Sequence, residues 1–225
     1  MKGIAISAVK SESATFQVLP FVWQTGGDLN DYATSGATAL AYLRGLIDDG
    51  SMSEAVTNYT QEDARTQFIT GKSAMMINGP WELATLTKDA QFDWDVAPLP
   101  KDKRAATSMG GENVVVMNGA KQSDAAVKLA KFLTSAEGAK IYCDGSGQLS
   151  SRPDLQGKLK LSNDAKLKVF ESQLADAHAR AYGKDYPKIS EAIQLSMQEA
   201  LTGASTPEAA AKKAADTINP LLPKN

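Results

Sequence analysis

The chain of 225 residues is 43% hydrophobic and 22% charged, and these ordinary globular values exclude intrinsic disorder as its main state. Its 24 basic and 26 acidic residues give a net charge of −2, without the basic surplus that nucleic-acid binding requires. No apolar run reaches the roughly 18 residues of a membrane-spanning helix, and the first residues are too polar for a secretory signal.

Apolar runs and helical periodicity divide the first half of the chain into alternating strands and helices. Apolar runs predict strands at residues 2–7, 73–77 and 92–97. Capping residues and apolar stripes predict helices at 13–25, 37–49, 60–70 and 81–86. We expect Pro20 to break the first of these helices, because proline lacks the N–H group that a helix interior uses.

The second half of the chain is mostly helical. After one predicted strand at residues 111–117, helices are predicted at 123–133, 135–143, 166–177, 188–201 and 206–218. Strands that lead into helices predict an α/β layered fold. Ligands bind in such folds where strand ends meet helix N-termini, and the sequence from Asn78 to Trp81 forms a junction of this kind.

The residues needed for catalysis or metal binding are scarce. The chain contains one histidine, His178, and one cysteine, Cys143, so neither a zinc site nor an internal disulfide is expected. The glycine loops of nucleotide enzymes and the nucleophile elbow of hydrolases are missing. We interpret His178 as a solvated surface residue and Cys143 as a packed helical residue, and we expect neither catalysis nor a cofactor.

Aromatic and polar side chains stand out at the predicted strand–helix junctions. Trp81 and Trp23 supply apolar faces, and Glu112, Asn113 and Arg152 supply hydrogen-bonding groups. This combination is typical of carbohydrate recognition, because a sugar presents an apolar C–H face and a rim of hydroxyls. The alternative interpretation is that the tryptophans are core residues.

Four stretches of sequence carry a family resemblance. The most specific is FITGKSAMMINGPWEL at residues 68–83. The others are the strand end DVAPLP at 95–100, the strand GGENVVV at 110–116 and the helix pair AAVKLAKFLTSAE at 125–137. In this order and spacing they resemble the extracellular sugar-binding proteins of ABC importers, the family that includes maltose-binding protein.

The resemblance implies a type II periplasmic-binding-protein fold, with the sugar in a cleft between two α/β lobes. It assigns residues 2–106 and 152–225 to the second, C-terminal lobe, and residues 107–151 to a segment that crosses back to a first lobe largely missing here. A strand and two helices built to pack on an absent sheet would expose apolar side chains, so we expect self-association or a domain swap through this segment. The candidates for exposure are Val114, Val115, Val116, Leu129, Phe132 and Leu133.

The resemblance also implies seven ligand contacts. One residue would stack on a sugar ring, two would line the cleft, three would face the ligand from the returning strand, and one would pair with a hydroxyl. In that order they are Trp81; Trp23 and Gln24; Gly111, Glu112 and Asn113; and Arg152.

By this resemblance the chain is the solute-binding subunit of an ABC importer, not an enzyme. It would capture a mono- or oligosaccharide reversibly and deliver it to a membrane permease. Its location would be extracellular or periplasmic, with a membrane-anchored lipoprotein as one form, and we expect no export signal within this chain. Three alternatives stay open: a different solute, such as a polyamine, a metal chelate or a peptide; an enzyme that uses carboxylates on the same fold; and a truncated lobe without autonomous ligand binding.

Overall fold

The structure, a computed structural model, describes residues 1–223 and forms two compact units. Unit 1 contains Met1–Asn78, Leu99–Met109 and the chain from Gln173 onward, whereas unit 2 contains Gly79–Pro98 and Gly110–Ser172. The lobe boundaries expected at 106/107 and 151/152 refer to a longer protein and stay a prediction. The two units of this chain separate at other positions.

The elements follow one another along the chain as β1 (Lys2–Ala5), α1 (Glu12–Gln24), α2 (Tyr32–Asp48), α3 (Gln61–Ile69), β2 (Ser73–Met76), α4 (Leu83–Asp89), β3 (Thr107–Ser108), α5 (Ser123–Leu133), α6 (Ala136–Ser146), α7 (Ala165–Gln173), β4 (Ala177–His178), α8 (Tyr186–Leu201) and α9 (Pro207–Ile218). Each predicted helix therefore has a counterpart, with its ends shifted by a few residues. The chain is a helix-rich α/β protein.

Two short parallel pairs of strands lie in unit 1. Strand β1 pairs with β2, with Lys2 opposite Ser73, and β3 pairs with β4, with Ser108 opposite His178. The strands predicted at residues 92–97 and 111–117 are wrong, because neither stretch joins a hydrogen-bonded ladder. A strand-forming sequence alone does not make a strand, since its backbone needs a partner.

Helices α1, α2, α8 and α9 enclose the main core. Helix α1 packs against α2 and α8, and α9 packs against the same two helices. The contact face of α9 is made of small side chains, Ala210, Ala211, Ala214 and Ala215, all of them buried. Small residues let helix backbones approach closely, which explains the alanine-rich end of the sequence.

Helix α1 continues through Pro20, contrary to the prediction that this proline breaks it. Pro20 has no N–H group for the carbonyl of Phe16, four residues earlier. The hydroxyl of Ser108 donates to that carbonyl at 2.8 Å. A distant residue thus replaces the missing helical donor, and this hydrogen bond attaches β3 to α1.

Unit 2 has a small core and a large exposed apolar surface. Its buried apolar side chains include Leu83, Leu86, Leu155 and Leu167, whereas no residue of α5 is buried. The expected exposure of apolar side chains is confirmed for Val114, Val115, Leu129, Phe132 and Leu133, and Val116 is half-buried.

We predict that Ser108→Ala lowers the free energy of unfolding by about 1–3 kcal/mol, because the Phe16 carbonyl loses its donor. The cost should shrink in a Pro20→Ala background, where residue 20 regains an N–H group. Urea denaturation across this double-mutant cycle measures the coupling. An equal loss of stability in both backgrounds would show that Ser108 does not replace the helical donor. Ser151→Ala, at an exposed position, is the matched control.

Candidate functional site

The pairing of β3 with β4 places Arg180 over the first turns of α1. Ser108 of β3 binds the Phe16 carbonyl, β4 pairs with β3, and Arg180 follows β4 after one intervening residue. The Arg180 guanidinium lies 4.7 Å from the centroid of the half-buried Phe16 ring. This cation–π contact fixes a charged donor group against an apolar face.

Glu12 connects Arg180 to helix α8. Its Oε1 accepts hydrogen bonds from Arg180 Nε at 3.1 Å and from the Tyr186 hydroxyl, and its Oε2 accepts one from Ser190 Oγ at 2.5 Å. Glu12 and Phe16 are one helical turn apart on α1, and Tyr186 and Ser190 are one turn apart on α8, so each pair lies on one helix face. We call these four residues, together with Arg180, the Glu12 cluster.

The Glu12 cluster retains hydrogen-bonding capacity at its surface. Arg180 also donates from Nη1 to the Met109 carbonyl at 3.0 Å, whereas its Nη2 group donates to nothing in the described part of the chain. The Glu12 side chain is 48% exposed. A ligand hydroxyl can therefore find a donor and an acceptor beside an aromatic ring.

Burial and the hydrogen bond to Glu12 raise the pKa of Tyr186 from 10.0 to about 12. The Tyr186 phenol therefore stays protonated at every physiological pH and donates a hydrogen bond to the Glu12 carboxylate. Because the nearby Arg180 guanidinium favours the ionised form, the shift is smaller than burial and Glu12 alone would produce.

A second aromatic group lies further along α1. Trp23 is fully buried, its Nε1 donates to Asp28 Oδ1 and to the Tyr182 hydroxyl, each at 3.1 Å, and its ring stacks on His178 at a centroid distance of 4.8 Å. His178 is thus half-buried in an aromatic stack, which corrects its interpretation as a solvated residue. The side chain of Gln24 is also buried and donates to the Ala106 carbonyl at 3.1 Å.

The burial of Trp23 and Gln24 gives both residues a packing role in this structure. A direct contact between either side chain and a ligand stays a prediction, and it would require the aromatic stack or the Ala106 hydrogen bond to open. Tyr182, by contrast, is only half-buried, and burial together with the hydrogen bond to Asp28 raises its pKa.

Trp81 lies in unit 2, within the family-like stretch at residues 68–83. It belongs to a single helical turn, Pro80–Glu82, and its ring folds back over Gly79 so closely that a Cβ there would lie 2.1 Å from ring atoms. Glycine at position 79 is therefore required by the ring, not by a special backbone angle. The indole of Trp81 is half-exposed.

The other predicted site residues of unit 2 lie in two places. Gly111, Glu112 and Asn113 are exposed and lie in irregular backbone, with Gly111 at a φ of +153°. Arg152 makes a two-point ion pair with Asp154, at 2.9 and 3.1 Å, and also donates to the carbonyl of Thr134. The ligand contacts predicted for these four residues stay predictions, and at Arg152 a hydroxyl would compete with an existing ion pair.

The sequence interpretation missed the Glu12 cluster entirely. Glu12 and Arg180 lie in polar stretches without a motif, and Phe16 resembles an ordinary core residue of a helix. The available signal was weak: an acidic and an aromatic residue four positions apart at a helix start. Only the pairing of β3 with β4 shows that Arg180 joins them.

Within residues 1–223, no group of three or more His, Cys, Asp or Glu side chains is placed to hold a metal ion. Burial raises the pKa of the Cys143 thiol, which supports a packing role and not that of a nucleophile. Among the same residues, no helix has both the length and the apolar character needed to span a bilayer.

The chain matches the family model described as bacterial extracellular solute-binding protein over residues 3–169. The match covers most of the chain and includes Glu12, Phe16, Trp81 and Glu112. The protein therefore belongs to the bacterial extracellular solute-binding proteins, a family of binding subunits of ABC importers, and the sequence resemblance is confirmed.

Individual relatives are consistent with this assignment. A binding protein of Brucella abortus is 26% identical over 213 residues, which cover 90% of this chain and 52% of the relative. A solute-binding protein of Thermotoga lettingae bound with α-D-tagatose has 31% identity and a TM-score of 0.86, covering 99% of this chain and 60% of that one. Maltose-bound MalE3 of T. maritima has 29% identity and a TM-score of 0.86, covering 99% and 61%.

These matches show the fold of the chain and the share of each relative that it spans. The chain has the fold of a periplasmic sugar-binding protein and spans about half to three fifths of the length of the relatives it matches. Similarity alone therefore does not assign the activity of the longer relatives to this chain.

We predict that the Tyr186 phenol titrates near 12 and that Glu12→Gln lowers this pKa, because the neutral amide no longer opposes the phenolate. Because the unfolded phenol ionises near 10, this group destabilises the fold as pH rises from about 10 to 12 and not below. NMR titration of the tyrosine ring resonances, assigned with Tyr186→Phe, measures the shift. A Tyr186 pKa near 10 in the folded wild-type chain would contradict the hydrogen-bond geometry.

Proposed function

We propose that this protein binds a mono- or oligosaccharide for an ABC importer, and that the Glu12 cluster is its sugar contact in unit 1. The observation that carries the proposal is the combination of the Phe16 ring, the unused Nη2 donor of Arg180 and the half-exposed carboxylate of Glu12. An apolar face bordered by a fixed donor and acceptor matches the surface of a pyranose or furanose ring.

The hydrogen bonds inside the Glu12 cluster support rigid recognition. Tyr186 and Ser190 hold both oxygens of Glu12, and Met109 holds one arm of Arg180. Side chains that are already fixed lose little conformational entropy on binding, which favours affinity for a weakly interacting ligand such as a sugar.

The relatives support the same ligand class. Two solved structures similar to this chain are of proteins bound with tagatose and with maltose. Delivery of the sugar to a membrane permease, and a location outside the cell or in the periplasm, belong to this proposal because the family consists of extracellular binding proteins.

A cationic solute such as a polyamine fits the Glu12 cluster less well. The only carboxylate of the cluster already lies 3.1 Å from the Arg180 guanidinium. A cation would have to displace this partner and approach a like charge, which costs binding energy. A neutral polyhydroxylated ligand avoids both costs.

We predict that Phe16→Leu weakens binding of the recognised sugar by about threefold to tenfold, because the aromatic face is lost while apolar volume remains. Isothermal titration calorimetry with maltose, tagatose and a polyamine measures the affinities. Tyr42→Leu, at an exposed aromatic residue on α2, is the matched control and should leave binding unchanged. Binding of the polyamine alone, or equal effects of the two substitutions, would contradict the proposed site.

We predict that Trp81→Ala also weakens sugar binding, by about tenfold or more, if its half-exposed ring stacks on the ligand. Trp94→Ala provides the control, since that ring is half-buried in the same unit and lies outside the stretch at residues 68–83. The same calorimetric titration distinguishes the two. An unchanged affinity in Trp81→Ala would remove Trp81 from the ligand contacts, and no binding by the wild-type chain would favour a lobe without autonomous activity.

A further inference from the structure

Arg152 and Arg180 each pair with one carboxylate, but the two pairs differ in geometry. Arg152 donates from Nε and Nη2 to the two oxygens of Asp154, at 2.9 and 3.1 Å, so one edge of its guanidinium is used at both points. Arg180 donates to Glu12 from Nε only, at 3.1 Å. Its Nη2 group, on that same edge, donates to no atom of residues 1–223. The Arg180 pair is therefore a one-point pair with an open second donor.

The second oxygen of Glu12 is held by helix α8. Oε2 accepts a hydrogen bond from Ser190 Oγ at 2.5 Å, and Ser190 is buried. A two-point pair requires both carboxylate oxygens to face one edge of the guanidinium. Oε2 is directed towards α8 instead and makes no hydrogen bond with Arg180 in the part of the chain that the structure describes.

The other contacts of Ser190 fix the direction of its hydrogen. A hydroxyl has one hydrogen and a carboxylate only accepts, so the Ser190 hydrogen lies towards Glu12. The Thr15 hydroxyl, 2.7 Å away, must then donate to Ser190 Oγ, and Gln194 Nε2 donates to the same atom at 2.9 Å. Both lone pairs of Oγ are thus used, and Thr15 is fully buried. Ser190 therefore has one orientation, the one that holds Glu12.

We propose that Ser190 is a positioning residue that keeps the second donor of Arg180 open for the sugar. The inference rests on the function proposed for the Glu12 cluster. By holding Oε2, Ser190 prevents the two-point pair and leaves Nη2 with two N–H groups for oxygen acceptors of the ligand. Hydroxyl and ring oxygens of a sugar are such acceptors. The buried Ser190 acts through Glu12 and does not touch the ligand itself.

Removal of the Ser190 hydroxyl should close this donor. The torsion that turns a glutamate carboxylate is soft, and charge-assisted hydrogen bonds favour a two-point pair. In Ser190→Ala, Oε2 of Glu12 should therefore turn to Arg180 Nη2. The result is a two-point pair like that of Arg152. The sugar must then displace Oε2 from Nη2, so its affinity should fall by about tenfold.

Arginine side-chain NMR of the full 225-residue chain tests the positioning step without any ligand. Ser190→Ala should slow the exchange of an Arg180 Nη2 hydrogen with water, because that hydrogen becomes bonded to Glu12; Arg180→Lys assigns the signal. Ser196→Ala is the matched control, since Ser196 is also buried on α8 but binds the Tyr32 hydroxyl. Circular dichroism verifies that both variants fold. An Nη2 signal that Ser190→Ala leaves unchanged, or that Ser196→Ala changes equally, would overturn the proposal.

Calorimetry with maltose and tagatose tests whether the sugar uses the open donor. Ser190→Ala should weaken binding by about tenfold, whereas Ser196→Ala should not. The loss caused by Arg180→Lys should be smaller in the Ser190→Ala background, because the donor that it removes is already occupied there. Additive losses, or an unchanged affinity in Ser190→Ala, would contradict the role of Ser190 in binding.

The two measurements separate this inference from the proposed function. An absence of sugar binding by the wild-type chain would refute the function proposed for the Glu12 cluster, and with it the use of the open donor by a sugar. The NMR result does not depend on a sugar, so it decides by itself whether Ser190 keeps Glu12 from closing the Arg180 pair.

Discussion

The carbonyl of Phe16 has no helical donor because Pro20, four residues later, lacks an N–H group. Ser108 supplies that donor from a strand 92 residues away in the sequence, at 2.8 Å. Helix α1 can therefore remain continuous, with most of its residues buried between α2 and α8. The same bond fixes β3 on α1 and so determines where β4, its parallel partner, must lie.

The candidate site depends on this attachment. Strand β4 carries His178 onto the Trp23 ring, and the chain that follows it brings Arg180 onto the Phe16 ring. Glu12 then joins Arg180 to α8 through two hydroxyl donors. The proposed sugar contact therefore has no dedicated sequence motif, because backbone pairing brings together side chains from three separate parts of the sequence. Such a surface is positioned before any ligand arrives, which reduces the entropic cost of binding.

The sequence predicted the elements that depend on local chemistry. The capping box of Thr60 and Asp63 and the cap at Thr206 begin helices where expected. Predictions failed where a distant partner decides the outcome: the continuity of α1 through Pro20 depends on Ser108, and residues 111–117 lack the partner that a strand needs. The Glu12 cluster was out of reach for the same reason. The resemblance identified the family because its motifs are local, whereas its implied ligand contacts remain to be tested.

The most direct test of this account is the backbone amide NMR spectrum of the chain during titration with maltose and, separately, with tagatose. If the Glu12 cluster contacts the sugar, saturable shifts for one of them should be largest at Glu12, Phe16, Arg180 and Tyr186, while exposed positions of α9 stay unchanged. Saturable shifts that leave these four residues unaffected would place the ligand elsewhere and contradict the central claim. A spectrum unchanged by either sugar would refute autonomous binding of these two ligands by this chain.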